Sequence, residues 1–221
     1  MIITQQLTKT YQTGPVQTTV LKGIDLHIKK AEFVAIMGRS GAGKSTLLYQ
    51  ISLLDTPTSG TIMIDGIDAS KLSEKQRTLF RLHHLGYVFQ DYAIVPELNA
   101  LENVAIPLLM KGWRKKYAYE KASQALTQVG LEHRLKNLPS QLSGGEQQRV
   151  SIARAIAHDP KIIFADEPTA NLDSDTSAIV LDIFLDLHKK GQTIVMVTHE
   201  EEYGNFANRI IRMIDGSLVG L

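Results

Sequence analysis

The chain contains no cysteine. Disulfides, thiolate metal ligands and a cysteine nucleophile are excluded outright. It also lacks an excess of charge of either sign: 24 basic residues stand against 23 acidic ones, a formal net charge of +1. There is therefore no global basic field of the kind that non-specific nucleic-acid binding requires. Long apolar runs are missing too. Phe33 to Met37 and Ile194 to Val197 fall far short of the ~18 residues that a membrane span needs. The opening MIITQQLTKTY is too polar for a secretory signal. Any membrane association is therefore expected to run through a partner. What is present is ordinary for a soluble globular protein: 43% hydrophobic and 21% charged residues over 221 positions, enough for one sizeable core or a core with a small inserted lobe.

Neither internal repeats nor low-complexity segments occur. The opening third is strand-rich, and Phe33-Val34-Ala35-Ile36-Met37 reads as a short buried strand. Lys44 to Ser52 reads as a helix, and Thr61 to Asp65 as a strand closed by Gly66. From about Asp91 to Gln141 the character changes. Leu101 to Met110, Lys115 to Val129 and the stretch after Leu131 have helical spacing, punctuated by Gly112, Gly130 and Pro139. The α/β pattern then returns with a strand over Lys161 to Ala165, a helix over Ser174 to Lys190, a strand over Thr193 to Val197, and a late hairpin from Arg209 through Asp215-Gly216. Alternating helices and near-continuous apolar strands predict a mostly parallel sheet covered on both faces, interrupted by a helical lobe.

Between the first apolar strand and its helix lies Gly38-Arg39-Ser40-Gly41-Ala42-Gly43-Lys44-Ser45, followed by Thr46. This is G-x-x-x-x-G-K-[ST] in full, in the strand–loop–helix setting that the motif requires. Glycines let successive backbone N–H groups turn inward around phosphate oxygens. The helix N-terminus adds partial positive charge. Lys44 can reach the β- and γ-phosphates, and Ser45 offers a hydroxyl to Mg²⁺. By itself the motif implies a nucleoside triphosphatase or kinase. A second acidic constellation follows a strand: Ile162-Ile163-Phe164-Ala165 runs into Asp166-Glu167. Carboxylates at the C-terminal end of a parallel strand sit where such sheets bind ligands. Asp166 can hold Mg²⁺ through its water shell, leaving Glu167 to polarise an attacking water.

Leu142-Ser143-Gly144-Gly145-Glu146, then Gln147-Gln148-Arg149, supplies a third motif, a serine and two glycines at a helix start, which makes another anion site. With all three motifs in this order, the chain resembles the ABC ATPase family over nearly its whole length. The resemblance implies an α/β fold: a P-loop NTPase core with a mostly parallel sheet, an N-terminal antiparallel β subdomain and an inserted helical subdomain. Residues 1–90 and 142–221 would form the ATP-binding core and about 91–141 the helical insertion. It also implies a head-to-tail homodimer, in which the signature of one subunit closes over ATP held by the phosphate loop of the other.

The resemblance assigns further roles by position. Gln90, after Tyr87-Val88-Phe89, stands where the family has a glutamine that contacts Mg²⁺ or water. Asp173, in Asn171-Leu172-Asp173, matches a segment at the dimer interface and also reads as a helix cap. His199 matches a histidine that contacts the γ-phosphate, and Tyr11 an aromatic that stacks on adenine. Tyr87-Val88-Phe89-Gln90, Pro96 to Val104, LSGGEQQRVSIARA and Phe164 to Asp173 are similar to the branch with lipoprotein-releasing, macrolide-efflux and cell-division ATPases. Two positions depart from the family's commonest residues, Glu146 for glutamine and Ala170 for glycine. A peripheral position on the cytoplasmic face of the membrane follows, with an integral membrane permease expected to seat on about Asp91 to Met110. A soluble ABC ATPase acting on nucleic acid or ribosomes is the competing reading. It is disfavoured by the single core, the lack of cysteines and the lack of a heptad arm. A non-enzymatic nucleotide-bound scaffold is disfavoured because every catalytic position is filled.

Overall fold

The computed structural model describes residues 1–219. In chain order the elements are β1 (Ile2–Thr13), β2 (Val16–Ile28), β3 (Phe33–Met37), α1 (Lys44–Ile51), β4 (Ser59–Ile64), β5 (Ile67–Asp68), α2 (Glu74–His84) and β6 (Leu85–Val88). They continue with α3 (Ala100–Met110), α4 (Lys115–Gln128), α5 (Gly144–Ile156), β7 (Ile162–Asp166), α6 (Ser174–Lys189), β8 (Thr193–Thr198), α7 (Glu201–Gly204), β9 (Arg209–Ile214) and β10 (Ser217–Val219). The chain divides into two compact units: Met1–Leu79 with Gly191–Leu221, and Phe80–Lys190.

The first unit holds two kinds of sheet. β1 is the centre of an antiparallel layer, paired with β2 on one side and β4 on the other. Its inward residues Ile2, Thr4 and Leu7 are buried opposite Ile24, Leu26 and Ile28, the alternation expected of a sheet with one covered face. β3 is parallel to both β8 and β9. All five residues of β3 and all six of β8 are buried, which explains why both read as unbroken apolar runs: each face is covered. β10 folds back antiparallel on β9 through Asp215-Gly216, completing the expected late hairpin.

In the second unit β6 runs parallel to β7, and α5 lies directly on β6. A Cβ at Gly86 would stand 2.4 Å from the Ala155 carbonyl oxygen, so only glycine permits that approach. α3 and α4 form a helical hairpin through buried Val104, Ala105, Leu108, Ala118, Ala122 and Leu126, the alanines letting the two helices sit close. Asn99 caps α3 by accepting from the Glu102 amide at 2.9 Å, and Glu102 returns the bond to the Asn99 amide at 3.0 Å.

One sequence expectation fails. The stretch after Leu131 is a chain of turns, with helical bonding only in the short 3₁₀ segment Pro139–Gln141. The cause is visible in its hydrogen bonds. The Leu135 and Asn137 carbonyls accept from the Leu101 and Ala100 amides, at 3.0 and 2.9 Å. The segment thus satisfies N–H groups at the start of α3, which have no partner inside their own helix, and those carbonyls are lost to a helix of their own.

Candidate functional site

The phosphate-loop sequence is built as a turn between β3 and α1. Its last glycine, Gly43, is the N-cap of α1 with φ 98°, a left-handed conformation that costs a non-glycine residue energy. No side chain caps α1. The helix therefore opens with its N-terminal amides presented beside the loop, as an anion site requires. Lys44 is only 6% exposed and is folded over the loop, its Nζ donating to the Gly38 and Arg39 carbonyls at 2.9 and 3.2 Å. The loop is propped from outside by the β9–β10 hairpin. The Gly216 amide donates to the Ala42 carbonyl at 3.0 Å, and a Cβ at Gly38 would meet the Met213 carbonyl oxygen at 2.3 Å. Gly38, Arg39, Ser40 and Ala42 line a cavity of about 780 Å³ together with His199, Arg212 and neighbouring residues. The structure thus brings His199, exposed just beyond β8, to the same depression as the loop. Gly41, Ser45 and Thr46 lie in the same loop and in the first turn of α1.

Tyr11 lies on β1 and is 39% exposed. Its hydroxyl donates to Asp55 Oδ2 at 2.9 Å, and Lys9 Nζ stands 4.7 Å from its ring centroid. Burial, and then the Asp55 carboxylate accepting its proton, hold the phenol above its usual range; a hydrogen bond with Thr46 of α1 pulls the other way. The ring is thereby fixed near the start of α1, with one face held by a cation.

In the second unit Asp166 ends β7 and is 4% exposed, with the Tyr87 hydroxyl donating to its Oδ2 at 3.5 Å. The next residue, Glu167, has φ 42°. A non-glycine residue in the left-handed region is strained, and such strain concentrates at functional sites. Gln148 of α5 holds the turn that follows by donating to the Pro168 carbonyl at 2.8 Å. Gln90 is exposed beyond β6, and its carbonyl accepts from Asn171 Nδ2 at 3.3 Å. The glutamine loop and the Asn171–Asp173 segment are therefore tied together.

Ser143 is the N-cap of α5, and Glu146 completes a capping box. Ser143 Oγ accepts from the Glu146 amide at 3.2 Å, while the Ser143 amide donates to Glu146 Oε2 at 2.8 Å. Arg134 Nε donates to Glu146 Oε1 at 2.8 Å. The Ser143 amide is the main cause that holds the Glu146 carboxyl below its ordinary value; burial opposes it and Arg134 reinforces it. Sequence reasoning missed Arg134, because nothing in its local pattern marks a partner 12 residues away.

The two signature glycines answer to packing as well as to any ligand. A Cβ on Gly144 would stand 3.0 Å from the Tyr92 hydroxyl, and one on Gly145 only 2.0 Å from Thr176 Cγ2. Thr176 is in turn fixed to Asp173, which accepts from both its amide and its hydroxyl at 2.9 Å as the N-cap of α6. Those bonds hold the Asp173 carboxyl below its usual value, the Thr176 amide most of all. Asp173 is thus a helix cap whose partner touches the signature helix.

The segment Asp91 to Met110 begins as a braced loop. Tyr92 and Ala93 have φ 58° and 51°, and both their carbonyls accept from Arg154 of α5, at 3.0 and 2.7 Å. Asn103 clasps the Val95, Leu98 and Asn99 carbonyls.

The family model for ABC transporters matches residues 21–170. The lipoprotein-releasing system ATP-binding protein LolD of Aquifex aeolicus (strain VF5) is 51% identical over 201 residues, covering 91% of this chain and 90% of that protein. The macrolide export ATP-binding/permease protein MacB of Bdellovibrio bacteriovorus is 43% identical over 216 residues, 98% of this chain but 33% of that longer protein. The ATP-binding cassette MJ0796, solved as a dimer in a post-hydrolysis state bound to ADP and Pi, is 41% identical with a TM-score of 0.93, covering 100% of this chain and 97% of that one. A phosphate loop, a strand-end acid pair and a glycine signature arrayed in one order on this fold have a single account: the chain belongs to the ABC transporter family of ATP-binding proteins, in the branch that includes LolD and MacB.

Proposed function

We propose that this protein hydrolyses ATP as a head-to-tail homodimer and delivers the energy to a separate integral membrane permease on the cytoplasmic face of the membrane. The observation that carries the reading is the phosphate loop, with its left-handed Gly43 cap, uncapped α1 terminus and buried Lys44. Within the proposal, residues 1–90 and 142–221 act as the nucleotide-binding part, and 91–141 as the helical insertion that carries the permease seat over Asp91 to Met110.

The loop amides from Gly38 to Thr46 surround the phosphates, and Lys44 transfers its hydrogen bonds from loop carbonyls to phosphate oxygens. Tyr11 stacks on the adenine with the face that Lys9 leaves open. Glu167 orients and deprotonates the attacking water, and its strained backbone fixes the carboxylate at the strand end. His199 donates to the γ-phosphate. Ser143, Gly144 and Gly145 present the N-terminus of α5 to the nucleotide of the other subunit, and Asp173 holds the neighbouring helix start. Glu146 acts behind them through the capping box.

Ser45, Gln90 and Asp166 offer only hydroxyl, amide and carboxylate oxygens, a hard donor set that fits Mg²⁺. Among the described residues no group of three or more His, Cys, Asp or Glu could hold a metal by itself. The ion would supply positive charge to offset the negative charge of the phosphates. Among the described residues no helix is long and apolar enough to cross a membrane. Lipoprotein release, export and mechanical transmission are the transport classes that this branch offers.

The deciding experiment is Glu167→Gln. The variant should bind ATP, accumulate as a dimer on gel filtration with ATP, and turn over at least 100-fold more slowly, the low end of what a positioned base contributes. Turnover at the wild-type rate would refute the role of Glu167.

A further inference from the structure

We infer that the tip of the α3–α4 hairpin is a direct contact site for an anionic lipid surface. Leu109 and Met110, at the end of α3, are 40% and 65% exposed, and Trp113, in the linker before α4, and Tyr117, in the first turn of α4, are 40% and 55% exposed. Gly112, with φ 83°, turns the chain between them, so four large apolar side chains, each at least 40% exposed, fall within the nine residues around this turn. The hairpin packs instead through Val104, Leu108, Ala118 and Ala122. A cluster of exposed apolar groups rimmed by polar ones marks an interaction surface.

Charge selects the occupant. Arg114, Lys115 and Lys116 follow Trp113 directly and are all exposed, whereas Glu120 is the single acid between residues 111 and 121. In a chain whose formal net charge is +1, this is a local concentration of positive charge. It is also placed against helix physics. Arg114 is the N-cap of α4 with no side-chain capping bond, and no acidic residue occupies the first turn. Helix starts favour Asp, Ser or Glu and disfavour cations, so helix stability does not account for these residues. A tryptophan and a tyrosine beside lysine and arginine match a headgroup region, where amphipathic rings sit at the interface and long basic side chains reach lipid phosphates. A phosphatidylglycerol-type surface answers both features at once. Leu109 and Met110 close the segment proposed as the permease seat, so the lipid contact is carried by Trp113, Tyr117 and the basic run beyond it. The chain would then touch the membrane itself, beyond what a permease provides, and this inference does not rest on the ATPase reading.

Trp113 is the chain's one tryptophan and makes the test direct. The full chain is titrated with vesicles of phosphatidylcholine containing phosphatidylglycerol, and with vesicles of phosphatidylcholine alone, while its emission and its co-sedimentation are followed. The expected result is a blue shift and binding with the acidic vesicles only, weakening as salt is raised. R114Q/K115Q/K116Q should bind roughly 100-fold more weakly, about fivefold per charge removed, with unchanged nucleotide affinity as proof of folding. Tyr117→Ser should weaken binding without altering its salt dependence. No shift with acidic vesicles, or equal binding by the triple variant, overturns the inference. So does protection of the patch only when a membrane protein is supplied, which would assign it to a protein partner. ATP turnover measured on the same samples separates this outcome from failure of the proposed activity.

Discussion

Replacing Gly145 with alanine should distort the signature helix, and the reason is a single methyl group. A Cβ built at Gly145 lies 2.0 Å from Thr176 Cγ2, but 3.4 Å from its Cβ and 3.6 Å from its Oγ1. The first distance is a hard clash and the other two are ordinary contacts. Thr176 cannot swing aside cheaply, because its amide and hydroxyl are both bonded to Asp173 at 2.9 Å. Overpacking of this kind costs about 1–3 kcal/mol. Alanine betters glycine inside a helix by ~0.5–1 kcal/mol, so the net cost reaches about 2.5 kcal/mol and should lower the midpoint of thermal unfolding by up to roughly 10 °C. Thr176→Ser removes Cγ2 while keeping the hydroxyl for Asp173. In that background the step from Gly145 to alanine should cost nothing, or be slightly favourable. Thermal melts of wild type, both single variants and the double variant measure the coupling. If Gly145→Ala is as stable as wild type, or if Thr176→Ser leaves its cost undiminished, the glycine is not there for packing.

Two further outcomes concern pH. His158 is 8% exposed, its Nε2 donates to the Leu85 carbonyl at 3.1 Å, and Nδ1 has no hydrogen-bond partner. Burial, helped by Lys111 and His83, holds it below the ordinary histidine value against the opposing pull of the Leu85 bond and Asp159. The unfolded chain therefore takes up this proton first, and stability falls as pH drops below about 6.5. His158→Gln should flatten that slope in thermal melts, and an unchanged slope would remove His158 as its source. The Glu146 carboxyl is depressed, so its contribution is complete above the ordinary carboxylate value of about 4.3 and is lost as pH falls further. Glu146→Gln should make the acid limb of the melting profile shallower, and identical limbs would count against the capping box as an acid-sensitive element.

The chemistry-bearing motifs were legible because each is contiguous. A loop from Gly38 to Ser45 flanked by an apolar strand and a helix specifies its own turn, and Asp166-Glu167 and Ser143 to Glu146 are likewise defined by immediate neighbours. The parallel strands were legible for a related reason: burial on both faces leaves an unbroken apolar run in β3 and β8. The stretch after Leu131 misled because its apolar spacing is real, while its carbonyls are committed to the start of α3. A pattern of side chains does not show where the backbone spends its hydrogen bonds.

The sequence by itself determined where the glycine-rich loop, the strand-end acid pair and the signature glycines stand, since those motifs depend on residue type and immediate neighbours. Only the tertiary structure decided what holds them in place. Ala42 is propped by Gly216, Glu146 by Arg134, Pro168 by Gln148, and Gly145 by the side chain of Thr176. These supports join residues from 12 to 174 positions apart. Chain closure over such distances leaves no periodic trace in either partner, because each contact is selected by packing once the elements have come together.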